Sequence, residues 1–172
     1  MHRKIVLAIM IILSFLLQST VFQVLSFASI SPNLLVILTA SFGFMRGKKE
    51  GLWVGFFCGL LVDIFYSSYF GINALAFMYI GYANGFFKKL FYPEDIKLPM
   101  VLISASDIAY NLIVYVILFF MRGQFRIGYY FLHIILPELI YTILVTIVFY
   151  FIILRINNRL EQIEKRSSAK FV

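Results

Sequence analysis

From Ile5 to Met45 the chain runs 41 residues without a single charged side chain. One membrane-crossing helix needs about 20 apolar residues to traverse roughly 30 Å of hydrocarbon, so this stretch is long enough for two crossings. Pro32 and Asn33, preceded by Ser29 and Ser31, mark the turn between them. The rest of the chain has the same character: of 172 residues, 62% are hydrophobic and 13% charged. Soluble domains usually run near 45–50% apolar and about 25% charged. That contrast excludes an ordinary soluble enzyme and a disordered tail. A single cysteine, Cys58, excludes a disulfide-built module. The sequence predicts an all-α integral membrane protein.

The charged residues fall in a few clusters, and six spans are expected between them, at about 5–28, 32–46, 51–66, 70–88, 98–121 and 129–154. Residues 1–156 then form one six-span membrane domain, a six-transmembrane-helix bundle. Residues 157–172 form a basic amphipathic cytoplasmic tail, in which Leu160 and Ile163 continue an i, i+4, i+7 pattern from Ile156. Six crossings put both termini on one side. Thirteen of the 15 basic residues fall on that side and only Arg122 and Arg126 opposite, so both termini are expected in the cytoplasm. The second and third spans are short. A re-entrant pair in their place would strand Arg46, Lys48 and Lys49 at mid-bilayer, at about 2.5–3.5 kcal/mol each, so short crossings with snorkelling side chains are the cheaper arrangement. His2-Arg3-Lys4, the first apolar run and Ser26-Phe27-Ala28 imitate a signal peptide cleaved after Ala28. The run is longer than a usual signal core, and an uncleaved first span is expected.

Within the spans, the most specific pattern is Gly51-x-x-x-Gly55-Phe56-x-x-Gly59-Leu60-Leu61-x-Asp63. Four-residue spacing aligns these glycines on one helix face, and removing side chains there lets a second helix approach closely. Gly81 and Gly85 repeat the device in the fourth span. The face serves packing within the bundle, or it docks a partner or lines a pocket. Three acids lie in the spans: Asp63, Asp107 and Glu138. At 1.5 Å per residue, Asp107 and Glu138 each come roughly 14 Å from opposite ends of their spans and meet near mid-depth. Ser104, Asp107 and Asn111 share one face of the fifth span; Glu138, Thr142 and Thr146 share one face of the sixth; Gln18 adds a polar group from the first. Interhelical hydrogen bonding, a partner contact and a transport or proton-relay role all remain open for these stripes.

Signatures of catalysis are missing. Two histidines and one cysteine make no metal-ligand set of recognised spacing, and no phosphate-cradling glycine loop or nucleophile elbow occurs. No cofactor is expected and enzyme is the poorest class. In a chain this apolar, the basic excess orients the protein in the bilayer and is not read as nucleic-acid binding.

Taken together, the basic start, Gln18-Ser19-Thr20, Ser31-Pro32-Asn33-Leu34-Leu35, Gly43, the Gly51-to-Asp63 pattern, Gly71, Gly81-Tyr82 and Gly85 resemble the rod shape-determining protein MreD family. The resemblance is sharpest from about Gln18 to Gly85. It implies a non-enzymatic, multi-pass component of the bacterial cytoplasmic membrane that belongs to the cell-elongation complex. Such a protein works with an MreC-like scaffold and, indirectly, with actin-like MreB and the RodA/penicillin-binding-protein synthase, organising lateral peptidoglycan synthesis. It also implies a fold similar to the substrate-binding subunits of energy-coupling-factor transporters. The alternative of another class is a vitamin-type transporter subunit, with Asp63, Asp107 and Glu138 building its pocket.

Overall fold

A polar backbone in an apolar solvent must close its hydrogen bonds within each segment, and helices do this with least outside help. The computed structural model describes residues 2–24, 31–67, 70–122, 128 and 131–168, and among them the chain is all-helical, with no strand. Helix α1 is His2–Ser19 and is followed at once by the single turn α2, Val21–Val24. Next come α3, Leu34–Arg46; α4, Lys48–Tyr66; and α5, Ile72–Asn84. A 3₁₀ turn, Gly85–Leu90, extends α5. Helix α6 is Lys97–Arg122, and a π-helical turn, Phe131–Ile135, leads into α7, Leu136–Ser168. The signal-peptide-like segment around Ala28, expected to stay uncleaved, and the loop carrying Arg126 lie outside the described residues.

Two segments are long and apolar enough to cross a membrane on their own, Lys97–Ile117 and Leu132–Ile163. By contrast, α3 and α5 have 13 residues each, about 20 Å, less than the roughly 30 Å hydrocarbon thickness. Position in the bundle explains how α3 stays short. It packs against α1, α4, α5, α6 and α7, and every residue from Leu34 to Met45 is buried. The remaining helices enclose it in the order α1, α4, α5, α6, α7. A helix sheathed by protein on all sides has no lipid thickness to match. The core it anchors includes Phe42, Phe44, Phe77, Ile103, Tyr150 and Ile153, while the outward faces of α1, α6 and α7 stay apolar and exposed.

The closest pairing is α4 on α5. A Cβ placed on Gly55 would collide with the Phe77 carbonyl, and one on Gly59 with the Asn73 carbonyl. Gly51 and Gly81 sit back to back, each blocking the other's Cβ, and Gly85 lies against the backbone of Lys48. The glycine face is therefore occupied by α5, and no free surface remains there for a partner helix at Gly55 or Gly59.

The last helix runs past Arg155 without a break, so the amphipathic segment continues the preceding span. Its first turn is fastened to the bundle. Arg46 Nε donates to Asn157 Oδ1 at 2.5 Å, and Asn157 Nδ2 donates to Glu161 Oε1 at 3.2 Å. Asn157 is 1% exposed and Leu160 is buried, whereas Ile163 faces outward.

Because backbone, not flexible side chain, meets the glycine face, overpacking there cannot be relieved by a rotamer change. Substituting Gly55→Leu should lower stability by about 1–3 kcal/mol or prevent folding, as overpacked cores do. Thermal unfolding in detergent should register the loss, with Ala105→Leu at an exposed position of α6 as the neutral control.

Candidate functional site

A short helix inside a bundle leaves its first N–H groups without intrahelical partners, and in an apolar setting each must be met by a side chain. At the start of α3 this requirement assembles residues from three other parts of the fold. Asn33, buried after the buried Pro32, is the N-cap: its Oδ1 accepts from the Val36 N–H at 3.2 Å. Gln18 of α1 accepts from the Leu35 N–H at 3.2 Å, and the Asn33 N–H donates to Thr142 Oγ1 of α7 at 3.2 Å. Gln18, Asn33 and Thr142, separated widely in sequence, thus close one helix end.

Asp63 does the same for α5. Gly71, the N-cap position, has φ +99°, which favours glycine and brings its N–H round to the carboxylate. Asp63 accepts from the Gly71 N–H at 3.0 Å, the Asn73 N–H at 3.1 Å, the Ala74 N–H at 2.8 Å and Asn73 Nδ2 at 3.0 Å. An anion seated on a helix N-terminus also meets the positive end of the helix dipole. The Gly55-to-Asp63 pattern is one device: the glycines bring α5 alongside α4, and the carboxylate then caps it.

Further polar links bind α5 to α6. Asn84 Nδ2 donates to Ser106 Oγ at 2.7 Å, and Tyr110 Oη donates to Asn73 Oδ1 at 2.9 Å. Sequence reasoning grouped Ser104 with Asp107, but Ser104 is half-buried and Ser106 makes the cross-link. Ser106 follows the i, i+4 back-bond to Leu102 O at 2.7 Å, a signal too common to stand out. At the end carrying Arg46, Lys88 Nζ donates to the Arg46 carbonyl at 2.8 Å, and Lys48 Nζ lies 3.4 Å over the Phe86 ring. None of these links has a sequence spacing that announces it.

What remains after the helix ends are closed is an acidic pair between α6 and α7. Asp107 is 0% exposed, and neither of its carboxylate oxygens makes a hydrogen bond, although Thr142 faces it. Asn111 Nδ2 donates to the Asp107 carbonyl at 3.1 Å, and Thr146 Oγ1 to the Thr142 carbonyl at 2.6 Å. Glu138, in the first turn of α7, is beside Asn111 and within electrostatic range of Asp107. The π turn and Pro137 precede it, so the helix begins at the depth where Glu138 meets α6. The juxtaposition of Asp107 and Glu138 is the part of the site not absorbed by helix capping. Among the described residues no group of three metal-type ligands comes together.

These features define an all-α membrane bundle, several of whose polar side chains close the ends of its own short helices. The family model for the rod shape-determining protein MreD matches residues 1–159, and the chain belongs to that family. It is a membrane protein of a structural, shape-determining family that is not a known enzyme family. No curated protein and no solved structure matches the chain.

Four acceptor contacts on one carboxylate make Asp63 the cap with most to lose. Asp63→Ala should destabilise the protein by about 2 kcal/mol, within the range for lost caps and charged hydrogen bonds. Asp63→Asn, which keeps one acceptor oxygen, should lose about half as much. Chemical or thermal unfolding of the two variants against wild type measures both.

Proposed function

We propose that this protein is a non-enzymatic membrane component of the bacterial cell-elongation complex. It regulates rod shape by organising lateral peptidoglycan synthesis through helix–helix contacts with membrane partners. The observation that carries this reading is the MreD family match over residues 1–159. The architecture supports it, because the described chain is nearly all bundle and offers its surroundings chiefly apolar helix faces. An MreC-like scaffold is the direct partner in this reading, with MreB-like filaments and the RodA/penicillin-binding-protein synthase reached indirectly. Since α5 covers the glycine stripe, such a partner binds elsewhere on the lipid-facing surface. The vitamin-carrier alternative draws no support from the comparisons.

We further read residues 1–156 as one six-span domain in the cytoplasmic membrane, with both termini and the 157–172 tail in the cytoplasm. Charge distribution supports this orientation, with 13 basic residues on one side against two on the other. Parallel α1 and α4, joined at one end by the Arg3–Glu50 ion pair, agree with it. Cys58 is fully buried, so single added cysteines can report sidedness against a low background. Q124C should label with an impermeant thiol reagent in intact spheroplasts, and K170C only after permeabilisation. The reverse pattern defeats the orientation.

Asp107 gives a way to separate function from folding. A carboxyl that makes no hydrogen bond contributes little to stability, and apolar replacement of such groups is often neutral. Asp107→Leu should unfold within about 1 kcal/mol of wild type, as double-checked by expression level. In a rod-shaped host depleted of its own homologue, wild type should restore rods and Asp107→Leu should leave rounded cells. Rods without any complementing copy would sink the shape-determining reading. Rods with Asp107→Leu would remove Asp107 from it.

A further inference from the structure

Helices α1 and α4 run in the same direction and are joined at both ends. At one end Arg3 pairs with Glu50. At the other, Phe15 packs on Phe65 and Tyr66, with ring centroids 5.1 and 5.9 Å apart. Between these points lies a groove of about 1170 Å³. Leu7, Ile11, Trp53, Phe57 and Leu61 form its walls, with Trp53 stacked on Phe57 at 6.2 Å. Leu160 and Ile163 of α7 flank its mouth, where Arg3, Lys4 and Glu50 stand. We propose that this groove is a binding site for an anionic phospholipid, its acyl chains between α1 and α4 and its phosphate against Lys4 and Arg3.

Three observations select this occupant. The first is length. From Glu50 to Leu61 the groove follows 12 residues of α4, about 16 Å from first to last, close to half of the roughly 30 Å hydrocarbon core. The Phe15–Phe65–Tyr66 contact then closes it. A transmembrane helix of a partner needs a track through both leaflets, whereas a lipid tail needs only one. The second is charge. Lys4 and Arg3 outnumber Glu50 at the mouth, which leaves it net positive, and the ion pair with Glu50 holds Arg3 there. A basic mouth on an apolar slot matches a phosphate carried on hydrocarbon. The third is size. The volume exceeds the roughly 300–1,000 Å³ of clefts that hold drug-sized ligands, and the walls carry almost no polar group to orient a soluble metabolite.

The site also gives the end of α7 a role. Leu160 is buried and Asn157 is clamped by Arg46, so the helix holds Ile163 beside the mouth. An occupied groove joins α1, α4 and the last helix through a single bound molecule.

The test is native mass spectrometry of the full chain in mild detergent, with dioleoyl phosphatidylglycerol or dioleoyl phosphatidylcholine added at equal concentration. Wild type should retain one phosphatidylglycerol per chain, about five-fold more than phosphatidylcholine. K4A, at an exposed position, should fold normally and lose most of that preference. A8W, which projects into the slot, should reduce retention of both lipids. Equal retention of the two lipids by wild type overturns the proposal, as does wild-type retention by both variants. Photocrosslinking from position 8 in cells supplies an independent arm. Lipid adducts support the site, and crosslinking to a partner's helix instead of lipid overturns it.

Discussion

Unpaired backbone groups at helix ends are the constraint on which the rest of this structure depends. In water an exposed N–H at a helix start is solvated; inside an apolar bundle it is left bare unless a side chain reaches it. Two of the helices, α3 and α5, have only 13 residues and start within the bundle. Their first turns are met by Asn33, Gln18 and Asp63, while Thr142 takes the N–H of the cap residue itself. Gln18, Asp63 and Thr142, polar side chains that look like parts of a membrane-embedded active site, are thus the means by which short helices are tolerated. Each tie also joins two or three helices, so closing an end fixes the bundle's register.

Close packing is the complement of this capping. Dispersion and hydrogen bonding, not a hydrophobic drive, hold helices together in lipid, so the distance between backbones matters. The glycine stripe brings α4 and α5 close enough for Asp63 to reach the start of α5, and the Asn84–Ser106 and Asn73–Tyr110 bonds carry the connection on to α6. Central α3 is then enclosed on every side. By comparison α1 is joined to α4 by an ion pair at one end and an aromatic contact at the other, with a groove between them. Asp107 and Glu138 stand apart from both roles: they sit at the α6–α7 contact, and the carboxylate of Asp107 closes no helix end and makes no hydrogen bond.

The sequence already carried much of this. Uncharged runs separated by basic clusters gave the helix order within a few residues, and depth counting placed Asp107 opposite Glu138. The Gly51-to-Asp63 pattern was visible, together with the family it resembles, and the match over residues 1–159 agrees. Other features were illegible. That Asn157 is an internal clamp and not the first residue of a solvated tail follows only from Arg46 lying next to it, 111 positions away in the chain. Ser106 is indistinguishable from Ser104 until the rotation of α6 against α5 is known.

The division has a physical reason. Apolar length and charge position report how each segment meets its solvent, a local property, so the sequence by itself determined that the chain is an all-helical membrane protein and the order of its apolar segments. Which side chain caps which helix, which face of a glycine stripe is covered, and where two helices part to leave a groove depend on the mutual rotation and depth of helices. Those quantities are set by packing between segments far apart in the chain. Only the tertiary structure decided that Asp63 holds α5 in place, that the glycine face is covered by α5, and that a groove lies between α1 and α4.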